Sequence, residues 1–278
     1  MNKFLKKYLF ATLLISNTVI SQEINPNNRV KTELNFVKKN IITNSSKMQS
    51  SQFNYTNSFE QTTSISYNIS ATKMKIAHAE TKVIKIKNHT YGSMTKDLYY
   101  NSENPQSGDY KVAEQFSKTI GSISSYILDE NAIVVEVINN TKDFKINNND
   151  YSAIEKGRVF DVFLNIKQAQ NIGNSWYDST TTLDTKIVEK YTYKSYANGI
   201  ATIEVNSTMT IKQKVEIEDD EILKEISLNL ITISTLKVDI ATLLIKKKNS
   251  TITSMFTMGS GDKEIITSNK MTTIETIE

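Results

Sequence analysis

The stretch YTYKSYANGIATIEVNSTMTIKQKVEIE, residues 191–218, decides the fold. Asn198 and Gly199 are the dipeptide most favoured in a two-residue hairpin turn, because both turn positions need positive φ. From Ala201 to Ile217, apolar residues fall on odd positions and polar residues on most even ones, which is the period of a half-buried strand. At ~3.3 Å per residue such a strand is roughly 55 Å long, and strands of that length bend around a core. The stretch predicts a strongly curved antiparallel sheet.

Period-two alternation recurs along much of the chain. Residues 58–70 place Phe59, Ile65, Tyr67 and Ile69 on one parity. In the next segment, KMKIAH, the apolar parity ends on His78. The segments SISSYIL and AIVVEVI are joined by residues 129–131, and residues 222–240 alternate on even positions. These patterns predict a mainly β fold, built as one curved antiparallel sheet or as two half-barrels.

Two segments have a helical period instead. Val112, Phe116 and Ile120 recur every fourth residue, and Gly121 follows them, which is typical of a short amphipathic helix. Ser152 and Glu155 have the spacing of a capping box, and apolar residues follow at near-helical intervals, so a second helix is predicted over 152–168. We expect two or three short helices in all.

The chain opens with Lys3, Lys6 and Lys7, followed by a short apolar stretch and a small residue at Ser21. This order is typical of a secretory signal peptide over residues 1–21. Residues 22–52 are polar and are predicted to be a flexible lead-in, with at most one short strand near TELNFV (32–37).

A single β-rich domain is expected over 53–278. The alternative is two similar halves, 53–138 and 174–278, bridged by the helix at 152–168. No later segment reaches the ~20 apolar residues of a membrane helix, so we do not expect an integral membrane protein.

Charge gives no indication of a nucleic-acid partner. The chain has 33 basic and 30 acidic residues, and three of the lysines lie in the predicted signal peptide, so the mature protein is neutral. Only Arg29 and Arg158 are arginines, the residue on which bidentate recognition of phosphates and guanines depends. There are no cysteines, so stability must come from an ordinary core.

Catalytic options are few in this sequence. It has two histidines and contains no nucleophile elbow, phosphate-binding loop, dinucleotide-binding glycine pattern or HExxH motif. The acidic run EIEDDEI lacks the spacing and the glycine of a calcium loop. The sequence therefore favours a non-enzymatic protein without a cofactor or a metal site.

Aromatic residues are the most suggestive feature. Trp176, in GNSWYDS, is the only tryptophan, and with Gly173 it is predicted to be a structural anchor where the chain enters its second group of strands. Tyrosines on alternating strand positions pack in a core or contact a ligand, and both alternatives stay open. The candidate ligand contacts are Tyr67, Tyr99, Tyr191 and Tyr193.

The order of motifs resembles a family of exported, β-rich proteins of unknown function from Bacteroidota-type Gram-negative bacteria. The likeness is carried by LYYNSENP (98–105), TIGSISSYILDENAIVVEVIN (119–139), NIGNSWYDS (171–179) and YTYKSYANGIATIEV (191–205). Asn174 stands where this family usually has an aspartate or a similar polar residue, and the turn glycine that the family has near Glu130 and Asn131 is missing. The resemblance implies an exported β protein and no catalytic residue.

From these observations we expect an exported protein, located in the periplasm or alternatively at the cell surface or in the medium. A curved sheet leaves a concave face, and half-barrel carriers of Gram-negative periplasms hold acyl chains on such a face. The first hypothesis is a binding protein for an apolar or amphipathic small molecule or lipid. The alternative is a non-enzymatic envelope protein that binds another protein or a polysaccharide.

Overall fold

The computed structural model describes residues 23–25, 33–49, 54–71, 77–93, 97–108, 110–139, 156–181, 185–216, 223–258 and 265–278. The predicted signal peptide lies outside these residues. The strands are β1 (Leu34–Gln49), β2 (Asn54–Ala71), β3 (Ala77–Gly92), β4 (Leu98–Asn101), β5 (Ile123–Leu128), β6 (Val134–Asn139), β7 (Ser175–Thr181), β8 (Thr185–Ala197), β9 (Ile200–Glu216), β10 (Leu223–Asp239), β11 (Ile245–Met258) and β12 (Ile265–Ile277). A 3-10 helix (Pro105–Ser107) and one α-helix, α1 (Tyr110–Ser117), complete the described elements. Within the described residues, no helix is long and apolar enough to cross a membrane.

All twelve strands belong to one curved, open, antiparallel sheet. The strand order is β6-β5-β3-β2-β1-β12-β11-β10-β9-β8-β7. Strand β4 pairs with residues 87–90 of β3, on the side of β3 where residues 77–82 pair with β5. This confirms the mainly β, antiparallel class predicted from the alternation. Strand β1 lies outside both predicted halves and between them, since it pairs with β2 of the first half and with β12 of the second, where Lys38 lies opposite Ile277.

The flexible lead-in predicted over 22–52 is wrong over residues 34–49, because these form the 16-residue strand β1 and not a short strand near 32–37. The reason lies in the side chains of this strand. Lys38 and Asn44 are buried although both are polar, so β1 lacks the apolar alternation that marks the other strands. A strand whose buried positions are polar does not stand out by hydrophobic periodicity.

A long connection, residues 156–174, crosses one face of the sheet, and we call it the strap. Near its start, the amide of Gly157 donates to the carbonyl oxygen of Val134 in β6 over 2.7 Å. Near its end, the amide of Gly173 donates to the carbonyl oxygen of Tyr193 in β8 over 2.8 Å. The strap thus links β6, at one edge of the sheet, to β8, next to the opposite edge. We call the face that it covers the inner face, and the opposite one the outer face.

The helix predicted over 152–168 is wrong over residues 156–168, which form turns, isolated bridges and irregular backbone. Residues 152–155 lie outside the described part of the chain. The consecutive residues 162–164 are all buried, with at most 3% of their surface exposed. A helix on a protein surface buries one stripe, not three neighbours in a row, so burial of this extended run outweighs the local capping signal.

The core lies on the inner face in three clusters. Two of them pack under the strap, one around Tyr67 and Phe160, and the other around Tyr193 and Leu164. The third lies between α1 and β3 and includes Phe116 and Tyr100. Between these clusters the inner face is polar, with buried side chains Gln61, Thr63, Asn88, Ser234, Ser250 and Thr273.

Two further predictions concern single positions. The Asn198-Gly199 turn is confirmed: it joins β8 to β9, with φ of 51° and 82°. The placement of His78 on the apolar parity is wrong, because Ala77 and Ala79 are the buried residues there and His78 is half-buried between them. The small side chains of Ala77 and Ala79 lie on the inner face at this point of β3, and Ala79 is opposite the bulky Tyr126 of β5.

Candidate functional site

A cleft of about 350 Å³ lies between α1 and the inner face of the sheet. Its volume is within the range of pockets that hold small ligands in proteins. None of its lining side chains is ionisable. They are Asn44, Asn57, Phe59, Asn88, Thr90, Leu98, Val112 and Phe116.

The register of the sheet builds the floor of this cleft. Asn44 of β1 lies opposite Phe59 of β2, Phe59 lies opposite Thr90 of β3, and Thr90 lies opposite Leu98 of β4. These four residues therefore form one row across four neighbouring strands. The row alternates between polar and apolar side chains, which gives the floor a mixed character.

Helix α1 supplies the opposite wall. Val112 and Phe116 are four residues apart, so they lie on the same side of the helix. Phe116 stacks on Tyr100 of β4, with ring centroids 5.2 Å apart and planes 24° apart, and it is only 3% exposed. This contact fixes the helix against the sheet and leaves Val112 facing the cleft.

The polar residues beside the floor satisfy one another. The side-chain amide of Gln61 donates to the hydroxyl of Thr63 over 3.1 Å. The Asn88 amide donates to the Gln61 carbonyl oxygen over 3.5 Å, and the Thr90 hydroxyl donates to the Asn88 carbonyl oxygen over 3.2 Å. This chain of bonds holds Asn88 and Thr90 in place in the cleft.

Asn44 is the exception. Its side chain is 8% exposed, and its Oδ1 atom is buried without a donor among the described residues. A buried acceptor without a hydrogen bond costs ~1–3 kcal/mol. Asn44 lines the cleft, but less than 1 Å² of its Oδ1 is accessible, so a ligand group that donates a hydrogen bond meets this acceptor only when the Asn44 side chain turns toward the cleft.

A second polar cluster, which we call the charge cluster, lies where the strap crosses the middle of the sheet. Lys38 forms an ion pair with Asp161 of the strap, and its Nζ is 3.6 Å from the nearest carboxylate oxygen of Glu275. Glu275 also pairs with Lys248 at 3.2 Å, and the Tyr67 hydroxyl donates to Asp161 over 3.1 Å. The cavity at this point is only about 10 Å³, so the charge cluster is packed and leaves no room for a ligand.

Burial and charge act in opposite directions on this cluster. Burial lowers the pKa of Lys38, but the negative charge of Asp161 and its acidic neighbours outweighs burial and holds that pKa well above its usual value. Burial raises the pKa of Glu275, but the charges of Lys248 and Lys38 hold it below its usual value. Burial and Asp161 together raise the pKa of the Tyr67 phenol. Lys38 and Glu275 therefore stay charged at neutral pH.

The structure does not bring the four candidate tyrosines together. Tyr67 is part of the charge cluster, and its ring stacks on Phe36 at 5.1 Å. Tyr193 is fully buried under the strap, while Tyr99 is 43% exposed on the outer face. The Tyr191 hydroxyl donates to a carboxylate oxygen of Glu189 over 3.0 Å. Burial raises the pKa of the Tyr191 phenol most, and the charge of Glu189 raises it further. None of the four lines the cleft, and their role in ligand binding stays a prediction.

Trp176 and Gly173 lie where the strap enters β7. The Trp176 ring stacks on Tyr191, and its indole nitrogen donates to the carbonyl oxygen of Asn165 in the strap over 3.0 Å. Gly173 has φ of 92°, a conformation that favours glycine. Both residues hold the end of the strap on the sheet, and their predicted role as anchors can be measured directly.

The cleft residues were not predicted from the sequence, although a signal for them exists. Gln61 and Thr63 lie on the same parity of β2 as Phe59 and Tyr67, so two polar residues interrupt an otherwise apolar face. Both are buried, with 2% and 4% of their surface exposed. Polar residues at buried strand positions mark a face that packs on something other than an apolar core.

Groups of acidic residues and histidines that could hold a metal ion are absent from the described part of the chain. His89, on the outer face, lies 2.6 Å from Asp97 and contacts the ring of Tyr91. It is a surface residue with a single carboxylate partner.

No family model matches this sequence, and no curated protein matches it. Among solved structures, one of lipovitellin, reported for its lipid–protein interactions, is similar to this chain with a TM-score of 0.48. The two chains are 10% identical, and the match covers 88% of this chain and 25% of the lipovitellin chain. OpdQ of Pseudomonas aeruginosa gives a TM-score of 0.21 and 9% identity over 85% of this chain and 66% of that chain. The chain thus spans a minor part of lipovitellin, and at these TM-scores neither likeness transfers a property to it.

Proposed function

We propose that this protein binds a small, uncharged, amphipathic molecule in the cleft between α1 and β1–β4. The observation that carries the proposal is the combination of apolar walls with one buried acceptor, Asn44 Oδ1, that has no hydrogen-bond partner among the described residues. Apolar walls bind the body of a ligand, and a single convergent polar group orients it.

Size and charge narrow the ligand class. A volume of about 350 Å³ holds on the order of a dozen non-hydrogen atoms at about 30 Å³ each. A charged ligand would lose its hydration without gaining a counter-charge, because the lining has no ionisable side chain. A short alkyl chain with a hydroxyl or amide head satisfies both conditions.

The experiment uses 1-decanol, decanoate and methyl nonyl ether as probes of equal length. Binding is measured by displacement of the neutral dye N-phenyl-1-naphthylamine from the purified protein. We expect 1-decanol to bind best, because its hydroxyl donates to Asn44. Decanoate brings an uncompensated charge, and the ether has no donor.

Two variants locate the binding. Val112→Gln places a polar group in the apolar wall and should weaken binding of all probes about tenfold, since the loss of one aliphatic contact costs ~1.5 kcal/mol or more. Asn44→Ala should weaken 1-decanol about fivefold, the value of ~1 kcal/mol for one hydrogen bond, and leave the ether unchanged. Tyr110→Gln, on the exposed side of the same helix, is the matched control.

Equal affinity of the three variants for 1-decanol, at unchanged thermal stability, would show that the cleft is not the site. If decanoate binds more tightly than 1-decanol, the ligand class is wrong even if the site is right. The two parts of the proposal therefore fail in different ways.

We also propose that the chain is exported and is not an enzyme. The lysines and the apolar stretch before Ser21 support export. Fractionation of the native host, followed by mass determination of the N-terminal peptide, should recover the protein in the periplasm with Gln22 as its first residue. Recovery of an intact Met1 peptide from the cytoplasm would contradict this.

A further inference from the structure

A row of lysines crosses the outer face near the level of the charge cluster. Lys39 of β1 lies opposite Thr276 of β12, and Thr276 lies opposite Lys247 of β11. Lys247 in turn lies opposite Lys237 of β10. The three lysines span four adjacent strands, a distance of about 14 Å at ~4.8 Å per strand. We call them the lysine row.

The pairing of Lys237 with Lys247 is unfavourable by itself. Like charges directly opposite each other in an antiparallel pair destabilise a sheet. Both residues are exposed, and within the described part of the chain neither they nor Lys39 form an ion pair. Lys237 donates only to the hydroxyl of Thr202, over 2.8 Å. Fold stability therefore gives no reason for this arrangement.

Charge is also segregated between the two faces. The sequence of the four central strands over residues 37–49, 227–237, 247–257 and 266–276 contains a single carboxylate, Glu275. The Glu275 side chain points to the inner face, where it pairs with Lys38 and Lys248 in the charge cluster. The lysines on outer positions of these stretches are Lys39, Lys47, Lys237, Lys247 and Lys270. The outer face of the sheet centre is thus basic, although the chain as a whole is nearly neutral.

We propose that the lysine row binds an acidic polysaccharide that lies across the strands. A linear polyanion matches a linear row of cations. The side chains between and beside the lysines are Ser64, Thr202 and Thr276, whose hydroxyls can exchange hydrogen bonds with sugar hydroxyls. This surface is on the face opposite to the ligand cleft, so it is a second site that does not depend on the first.

The lysine row itself consists of lysine and threonine side chains and contains no apolar residue. Interfacial binding to a bilayer relies on aromatic and aliphatic groups that enter the boundary between headgroups and acyl chains. In the sequence of the four stretches, no outer position carries Phe, Tyr or Trp. Aliphatic residues lie beside the row at Val37, Ile41 and Ile274, and the same face exposes Ile231, Ile233, Met255 and Ile266. The choice of a hydrated polymer therefore rests on the lysine row itself, and the comparison with vesicles below tests the alternative of a lipid surface.

The test measures binding of the purified protein to immobilised polygalacturonate, with dextran as the neutral polymer and phosphatidylglycerol vesicles as the anionic bilayer. The variant K39Q/K237Q/K247Q removes the lysine row. The variant K118Q/K156Q/K186Q removes the same charge from exposed positions elsewhere. Thermal melting verifies the fold, and the first variant should be no less stable than the wild type because a repulsive pair is lost.

We expect the wild type to bind polygalacturonate and not dextran, and to release it between about 20 mM and about 300 mM salt as screening increases. Loss of the lysine row should weaken binding about tenfold, in keeping with three lost exposed charge contacts, while the control variant stays within about twofold. Equal weakening by both variants would overturn the assignment to the row. Absence of polygalacturonate binding, or tighter binding to the vesicles, would overturn the ligand class.

Discussion

Trp176 and Tyr191 stack with their ring centroids 5.2 Å apart and their planes only 9° apart. The indole nitrogen of Trp176 also donates to the carbonyl oxygen of Asn165 in the strap over 3.0 Å. One side chain therefore joins β7, β8 and the strap. The stack and the hydrogen bond can be removed separately, which makes this junction measurable.

Trp176→Ala should lower the free energy of unfolding by about 3 kcal/mol, since it removes a large, partly buried aromatic side chain. Trp176→Phe keeps a ring on Tyr191 and loses the hydrogen bond, so it should cost about 1 kcal/mol. Urea denaturation followed by circular dichroism measures both values. Tyr177→Ala, at a residue that is 64% exposed, is the control and should change stability little. Equal values for Trp176→Ala and the control would remove Trp176 from the structural role.

Lys38 and Asp161 form a pair whose members depend on each other. Lys38→Met should destabilise the protein by about 3 kcal/mol, because Asp161 then stays half-buried without its counter-charge. The double variant Lys38→Met/Asp161→Asn should recover much of this loss, since the remaining amide still accepts the hydrogen bond from Tyr67. Asp161→Asn is measured alone as well. If the double variant loses as much free energy of unfolding as the two single variants together, the two residues do not interact.

Acid should weaken the fold through Glu275. Its pKa in the folded protein is below its usual value of 4.5, so the ionised carboxylate contributes stability that is present above that value. This contribution is lost as the pH falls through the lowered pKa. Glu275→Gln should be less stable than the wild type at neutral pH, and the difference should shrink below pH 4.5.

Thermal unfolding across a pH series measures this convergence. Glu114→Gln, at an exposed position on α1, serves as the control and should follow the wild type at every pH. A difference between Glu275→Gln and the wild type that is constant with pH would show that the charge of Glu275 does not stabilise the fold.

The Asn198-Gly199 turn should be sensitive at its second position. Gly199 has φ of 82°, and the added Cβ of Gly199→Ala is strained there, so we expect a loss of about 1 kcal/mol. Asn198→Gly should be nearly neutral, because glycine also adopts the φ of 51° found at that position. Denaturant titration compares the two variants. A loss at Asn198 larger than at Gly199 would contradict this explanation.

Local signals predicted the strands that alternate cleanly and the turn that joins β8 to β9. In these strands every second residue is apolar and faces the core, so the pattern is visible in the sequence without knowledge of the partner strand. The strap could not be predicted in this way. Its fold is decided by burial against β6, β8 and the β10–β11 turn, which are contacts distant in sequence, and these outweigh the capping signal near Ser152.

The cleft shows the same limit. Asn44 and Asn88 belong to it only because β1, β2 and β3 align them, and an asparagine in a strand is otherwise typical of a polar surface. Alternation predicts strand positions for Tyr67, Tyr191 and Tyr193, but it does not distinguish a residue under the strap, such as Tyr193, from one that faces a ligand.

The pairing of β1 with β12 has a kinetic consequence. Every other strand pair in the described sheet joins neighbours, or near neighbours, along the chain. We call strands β1–β6 and strands β7–β12 the two wings, and each wing can form by successive pairing of its hairpins. Joining Lys38 to Ile277 instead closes a loop that contains nearly the whole chain, and closure of such a loop is entropically expensive. We therefore expect the wings to form first and to dock last. Until they dock, two long unpaired edges are exposed, and a chaperone that shields β1 or β12 would protect the protein at its most aggregation-prone stage.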